Sequence, residues 1–406
     1  MFLKASNSII YYLTKWIFIA LIIGSITGAV GAFFLNSLYQ CSTFREEYFN
    51  IILLLPLAGL CIGGVYHYFG KTSNKGNNLI FETYYNTLEA PRIPFRMLPF
   101  VLFGTLATHL FGGSAGREGT AVQIGATLAE QCSRFFKFTF TDRKTLLQMG
   151  IAAGFSAVFG TPLAATFFAL EVVYVGQIYL KNALPCLLVA LIADKFCLYF
   201  GGTHGHYIVD HIPDFEALQL FYSLCAGVCF GGASLLFSSL KKYFTLLFKK
   251  YISFPPLRPF VGGCVLAIII FTMGGTRHIG LGLPVIESAF YAPMYSYDFL
   301  VKIILTAFTL GAGFKGGEVT PLFFIGATLG NVLALIFPLP MSLLAAMGFI
   351  AVFAGATHTP IACLIMGIEL FGIETGKYIA IAAVIAYLVS GKKGVYSAQK
   401  NELPKF

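Results

Sequence analysis

Apolar runs at about 16–38, 51–69, 98–111, 146–174, 182–200, 217–238, 260–273, 300–313, 321–354 and 378–390 dominate the chain, with polar and charged residues gathered between them. None of the runs sustains a period-two alternation, so the pattern predicts helices and not the strands of a barrel. A helix needs about 20 apolar residues to cross a bilayer. Several runs fall short of that or are interrupted by glycine-rich loops, which predicts broken helices that meet inside the membrane. The expected fold is an all-α integral membrane protein with roughly ten to fourteen crossing or re-entrant segments. It should form a single polytopic domain over residues 1–406, without a soluble regulatory domain.

Composition agrees: 57% of residues are hydrophobic and 11% charged, against about 25% charged in an ordinary soluble domain, which excludes that class. The net charge is +9. Basic residues collect at Lys71, Lys75, Arg92 and Arg96, and across 134–144, 241–258 and 392–405. These loops are expected on the cytoplasmic side, beside anionic lipid, with both termini inside. A nucleic-acid partner is excluded, since no basic face carries stacking aromatics outside the apolar runs. The apolar stretch from Trp16 to Leu38 has no small-residue cleavage site and reads as a retained first span. The nine cysteines show no CxxC pair and no zinc spacing, and read as small buried hydrophobes.

An internal repeat organises the chain. Ile124-Gly-Ala-Thr-Leu128 recurs at Ile325-Gly-Ala-Thr-Leu329, half a protein later. In the same register Gly116-Arg-Glu-Gly-Thr120 falls on Gly317-Glu-Val-Thr-Pro321, each opening a helix after a loop. Met149 to Val172 matches Met347 to Leu370, pairing Thr161-Pro162 with Thr359-Pro360 and Glu171 with Glu369. Gly76-Asn-Asn-Leu-Ile80 echoes Gly282-Leu-Pro-Val-Ile286 more faintly. Two homologous halves, about 51–200 and 217–390, broken at matching places, point to a transporter or channel with its site at the repeat interface. An odd number of spans per half would make the repeats inverted.

Glu118 carries the sharpest chemical signal, a carboxylate framed by glycines between an apolar run and the next helix. An ionisable group there is costly and points to function. A structural pair with Arg117, or a water-exposed loop position, is the alternative. Two glycine-rich turns, one per half, would aim helix N-termini at one place and create an anion site without a fixed cation. A mobile carboxylate beside such a site could occupy it when ionised and leave it when protonated.

Gly116-Arg-Glu-Gly, Gly-Gly-Glu-Val-Thr-Pro at 316–321, the Gly76-Asn-Asn-Leu-Ile loop and Val395-Tyr396-Ser397 together resemble the four anion-site segments of the CLC channels and proton-coupled transporters. The resemblance spans nearly the whole chain in the right order. It implies a homodimer of helical subunits, each with its own pore. It also implies Glu118 as the gating, proton-carrying glutamate, an anion site at Asn77, Gly116, Gly119, Gly317, Val319 and Thr320 with backbone donors from 317–320, and Tyr396 as a hydroxyl on the inner site. Thr120 stands where the common pattern has proline, Asn77 where it has serine, and Val319 where it has phenylalanine. Val172 occupies the place of the inner glutamate of chloride/proton exchangers. These departures resemble the bacterial fluoride-exporting CLC-F branch, which implies fluoride/proton antiport in a bacterial cytoplasmic membrane with one carboxylate carrying the proton. Amide and hydroxyl donors from Asn77, Thr320 and Tyr396 suit a small, strongly hydrated anion.

Other residues carry weaker signals. Phe81 and Glu82, close to Asn77, are candidates for an anion-contacting ring edge and a proton route. Glu318 is either a structural partner of Lys315 or a gating or proton-transfer group. Glu171 and Glu369 read as structural. His204, His206, Asp210 and His211 lie close together and could hold a metal, yet they sit in a glycine-rich connection; no metal and no cofactor are expected. A passive anion channel or chloride/proton exchanger of the same fold is the alternative function. An intramembrane enzyme is disfavoured by the absence of HExxH, GxSxG and paired helical aspartates.

Overall fold

The computed structural model describes residues 2–86, 92–136 and 138–401; the basic C-terminal residue Lys405 lies outside them. The first half runs α1 (Phe2–Glu47), α2 (Leu55–Tyr68), α3 (Asn77–Tyr85), α4 (Met97–Leu110), α5 (Glu118–Phe135), α6 (Phe140–Phe159), α7 (Pro162–Glu171) and α8 (Ala183–Tyr199). The second runs α9 (Ala217–Tyr251), α10 (Leu257–Met273), α11 (Leu283–Ser288), α12 (Asp298–Ala312), α13 (Val319–Leu333), α14 (Met341–Thr357), α15 (Pro360–Phe371) and α16 (Gly376–Val389). The all-α expectation holds apart from one parallel pair of two-residue strands, β1 (Tyr174–Val175) and β2 (Lys400–Asn401).

Several boundaries differ from the hydrophobic pattern. The run at 146–174 is two helices, because Gly160 ends α6 in the left-handed region at φ 71° and Pro162 opens α7. The second half repeats that break with His358 at φ 59° before Pro360. The run at 321–354 is also two helices, parted by Pro338 and Pro340. Hydropathy alone missed α3, α5, α11 and α15, which are short or carry polar residues toward the centre. Among the described residues, four helices are long and apolar enough to cross a membrane, and several more are shorter apolar helices. This is a multi-pass membrane protein in which full crossings surround broken ones.

The repeated motifs are packing devices. Gly125 of the first Ile-Gly-Ala-Thr-Leu segment lies against Gly150, so close that a Cβ would sit 2.1 Å from the Gly150 carbonyl oxygen. Gly326 of the second meets Gly348 in the same way, at 2.0 Å. Helices α5 and α6, and α13 and α14, therefore touch backbone to backbone, the close approach that binds helices in lipid where the hydrophobic effect is absent. These four form the buried centre; α1, α2, α8, α9 and α10 surround it and expose apolar side chains such as Phe18, Leu57, Leu198, Phe221 and Ile268.

The two halves meet reciprocally at two crossings. Gly116 and Gly317 form an antiparallel bridge, each N–H donating to the other's carbonyl at 2.7 Å. At the second, Glu171 at the end of α7 accepts from the Ile361 and Ala362 N–H groups at the start of α15 (3.1 and 2.7 Å). Glu369 near the end of α15 accepts from Leu163 and Ala164 at the start of α7 (3.1 and 2.9 Å). Each carboxylate caps the partner helix, so α7 and α15 lie antiparallel, with matched residues exchanged.

Candidate functional site

The first crossing places Glu118 at the N-terminus of α13. Its side chain is fully buried. Oε2 accepts from the Thr320 N–H at 2.9 Å and the Arg117 N–H at 3.1 Å, and the Thr320 hydroxyl donates to Oε1. A helix N-terminus with unspent N–H groups and a hydroxyl is a cradle for negative charge, and here the protein's own carboxylate fills it. The Arg117 side chain approaches at 3.6 Å, longer than the Thr320 contacts, so the expected alternative of a simple Arg117–Glu118 pair is a secondary interaction.

The candidate anion-site residues divide into three groups. Gly116 and Gly317 spend their N–H groups on each other, so in this structure the pair forms a brace between the loops that open α5 and α13, and the backbone donor expected at Gly317 is engaged there. Glu118, Gly119, Val319 and Thr320 come together beside the brace, and a Cβ on Gly119 would lie 3.1 Å from the Asn77 amide nitrogen and 3.5 Å from Glu318 Oε2. Asn77, Phe81 and Tyr396 form the third group, around a chamber of about 10 Å³ with Val122, Ile151 and Val172, room for one water-sized particle. The Phe81 and Tyr396 rings lie 5.4 Å apart, and Asn77 Oδ1 is buried without a hydrogen-bond partner. Val172, in the place of the family's inner glutamate, is an apolar wall whose carbonyl accepts from Gln399 at 2.9 Å. Thr120, in the proline's place, shares a hydrogen bond with Thr105 of α4 at 2.6 Å.

Glu318 does not face Lys315. Lys241 of α9 reaches it at 2.5 Å on Oε1 and also donates to the Val395 carbonyl at 3.3 Å. Lys315 instead bonds Asn74 Oδ1 at 3.0 Å and stacks over the Tyr66 ring. Glu318 Oε2, aimed toward Gly119, is buried and has no hydrogen-bond partner. Glu82 pairs with Lys75 at 2.6 Å, on the wall of a cavity of about 560 Å³ that also carries Lys249, Arg258, Lys315, Asn78 and Ser397. His204 bonds the Ala157 carbonyl at 3.2 Å and faces Asp194 at 3.6 Å. No group of three metal-ligating side chains occurs among the described residues. Sequence reasoning missed Lys241, which gave no signal beyond a basic residue in a long helix, and Tyr207, which lines a second small chamber together with Glu118 and Thr320.

Comparison with known proteins places these features in a family. The model for the voltage gated chloride channel family matches residues 58–391. A "Chloride/fluoride channel protein" of Pseudomonas syringae pv. tomato is 43% identical over 96% of this chain and 87% of its own. The "H(+)/Cl(-) exchange transporter ClcA" of Vibrio cholerae is 26% identical over 94% of this chain and 88% of its own. Among solved structures, a CLC-type fluoride/proton antiporter superposes with a TM-score of 0.93 at 38% identity, covering 97% of this chain and 99% of the other. A slow cyanobacterial Cl−/H+ antiporter superposes at 0.82 with 18% identity over 94% and 96% of the two chains, a likeness of fold.

Proposed function

The chain belongs to the voltage-gated chloride channel (CLC) family, and from that we propose that it exports fluoride in exchange for protons. The observation that carries the reading is the Glu118 carboxylate seated on the Thr320 N–H and hydroxyl, on the wall of one small chamber and one turn of α5 from Val122 on the wall of the other. Ionised, Glu118 takes charge-assisted hydrogen bonds and closes the path. Protonated, it gives up that advantage, leaves, and frees the same donors for fluoride; its return delivers the proton to the other side. Fluoride then meets Thr320 on one side and Asn77 and Tyr396 on the other, groups strong enough to replace part of its hydration shell.

Glu318 supports an inner proton route. Its free buried oxygen faces Gly119 while Lys241 holds the other, so a second carboxylate stands near Glu118 although Val172 has replaced the usual one. The basic lining of the wide cavity supports a cytoplasmic reading of its side, and the connection 200–216, with Asp210, Asp214 and Glu216 and no Lys or Arg, supports an external reading of the other. The reading extends to a bacterial cytoplasmic membrane, termini inside, and a single membrane domain of two inverted repeats near 51–200 and 217–390. It also includes a homodimer with one path per subunit, since each chain holds all four anion-site segments. The test is a liposome assay with fluoride and pH electrodes read together. Fluoride efflux should drive proton uptake and Glu118→Gln should abolish that uptake. Fluoride flux that moves no protons would mean a passive channel instead, the activity printed in the name of the Pseudomonas relative.

A further inference from the structure

The chamber on the outer side of Glu118 repeats the inner one through the internal symmetry. Where the inner chamber has Val122, Ile151, Val172 and Asn77, the outer has Phe323, Phe349, Leu370 and Leu283, each the matched residue of the other half. Both chambers hold about 10 Å³. The correspondence extends to the tyrosines: Tyr396 comes seven residues after the end of α16 and Tyr207 eight after the end of α8. Each ring packs on a phenylalanine of a short half-helix or its end, Tyr396 on Phe81 within α3 at 5.4 Å and Tyr207 on Phe290 just after α11 at 5.2 Å.

From this we infer that Tyr207 is the outer gate of the path, the counterpart of Tyr396, and that its hydroxyl receives the Glu118 carboxyl group when it swings outward. Glu118 and Thr320 open onto the same chamber as Tyr207. The remaining walls named above are apolar, so the Tyr207 hydroxyl is the polar group that an outward-turned carboxyl would meet apart from the Arg117 side chain. The connection that carries Tyr207 is irregular but pinned on both sides. His204 bonds Ala157, the Asp210 N–H donates to Ser342, and the Tyr378 hydroxyl donates to the Pro213 and Asp214 carbonyls at 2.9 and 3.1 Å. The ring is thus held over the chamber by a fixed strap, and gating falls to the side chain. A ring there blocks hydrated anions while a hydroxyl and a carboxyl exchange hydrogen bonds beneath it.

This inference rests on the reading of Glu118 as proton carrier, and one set of liposome measurements separates the two. Tyr207→Ala should open the outer end, so that the ratio of protons to fluoride falls while fluoride flux holds or rises. Tyr207→Phe keeps the plug and removes the hydroxyl, so the ratio should stay and the coupled rate should drop roughly three- to tenfold, the weight of one hydrogen bond. Tyr207 as mere packing would leave the ratio unmoved. A wild-type ratio in Tyr207→Ala overturns the gate, and a wild-type rate in Tyr207→Phe overturns the hydroxyl's part. If the alanine variant does not purify as a folded protein, Tyr207→Leu, which also removes the ring, takes its place and a wild-type ratio in it overturns the gate. Glu118→Gln is run alongside: proton uptake surviving in it removes the proton carrier, whereas its loss together with unaltered Tyr207 variants removes only the gate.

Discussion

The two places where the halves cross are built on the same reciprocity and finish differently. At α7 and α15, Glu171 and Glu369 each cap the other's helix, so the side chains obey the symmetry as fully as the backbone. At α5 and α13 the backbone obeys it, through the paired Gly116 and Gly317, but the side chains do not. The residue matched to Glu118 is Val319, so one carboxylate serves one helix end and the opposite end is left without a partner of its own. A symmetric pair of caps satisfies every N–H it meets and has no reason to move. A single carboxylate in an otherwise symmetric frame can be exchanged for another anion, because the frame does not depend on it.

Breaking the asymmetric crossing should therefore change transport without changing the fold. Glu118→Gln retains the size and most of the hydrogen bonding of the side chain but cannot lose a proton. Proton uptake should fall to that of protein-free vesicles while thermal unfolding in detergent stays within about 1 kcal/mol of wild type, as for a near-isosteric change. A large loss of stability would mean that the carboxylate is part of the frame after all.

The frame itself is tested at Gly317. A Cβ there would lie 2.6 Å from the Gly119 nitrogen and 3.1 Å from that of Glu118, backbone atoms with no rotamer to give. Gly317→Ala should cost about 1–3 kcal/mol and depress fluoride and proton fluxes together at an unchanged ratio. A shift in the ratio instead would give Gly317 a direct part in handling ions.

Much of this was legible before any coordinates, and the reason is the repeat. Offsets near 200 found Glu118, the paired glycine turns, and Glu171 with Glu369 as structural groups, because backbone symmetry leaves its mark in Gly and Pro positions. Three things escaped. Helix breaks inside long apolar runs were invisible to hydropathy, since the residues on both sides of Pro162 are equally apolar. Glu318 has its partner in Lys241 on α9 and not in Lys315, three residues away; proximity in sequence does not fix which face a loop side chain takes. Tyr207 was hidden because connections of unequal length shift the register after α8.

Removing the symmetric caps should do the reverse of removing Glu118. Glu171→Ala and Glu369→Ala each strand two helix-start N–H groups in an apolar setting, so each should lower stability by about 1–3 kcal/mol. The coupling ratio should stay unchanged. Glu171 should matter more, being buried where Glu369 is only half-buried. Equal unfolding temperatures for both variants and wild type would show that water or lipid headgroups satisfy those donors instead.

The smallest effect is expected at Asn77, where the halves differ again: its match is Leu283, so only the inner chamber has an amide. Asn77→Ser trades that amide for a shorter hydroxyl without touching the Gly116–Gly317 brace or the Glu118 seat. The buried, unpartnered Asn77 Oδ1 indicates that no protein group holds the amide in place, so its NH2 is free to turn toward an ion. Losing it should leave proton coupling intact and narrow the preference for fluoride over chloride by up to roughly tenfold, less than the weight of a whole hydrogen bond to a charged group because the serine hydroxyl still donates. Parallel fluoride and chloride efflux from liposomes measures this. An unchanged ratio would move selectivity to Val319, Thr320 and Tyr396, and with it the distinction between the chambers, from the amide of one half to the helix end that Glu118 guards.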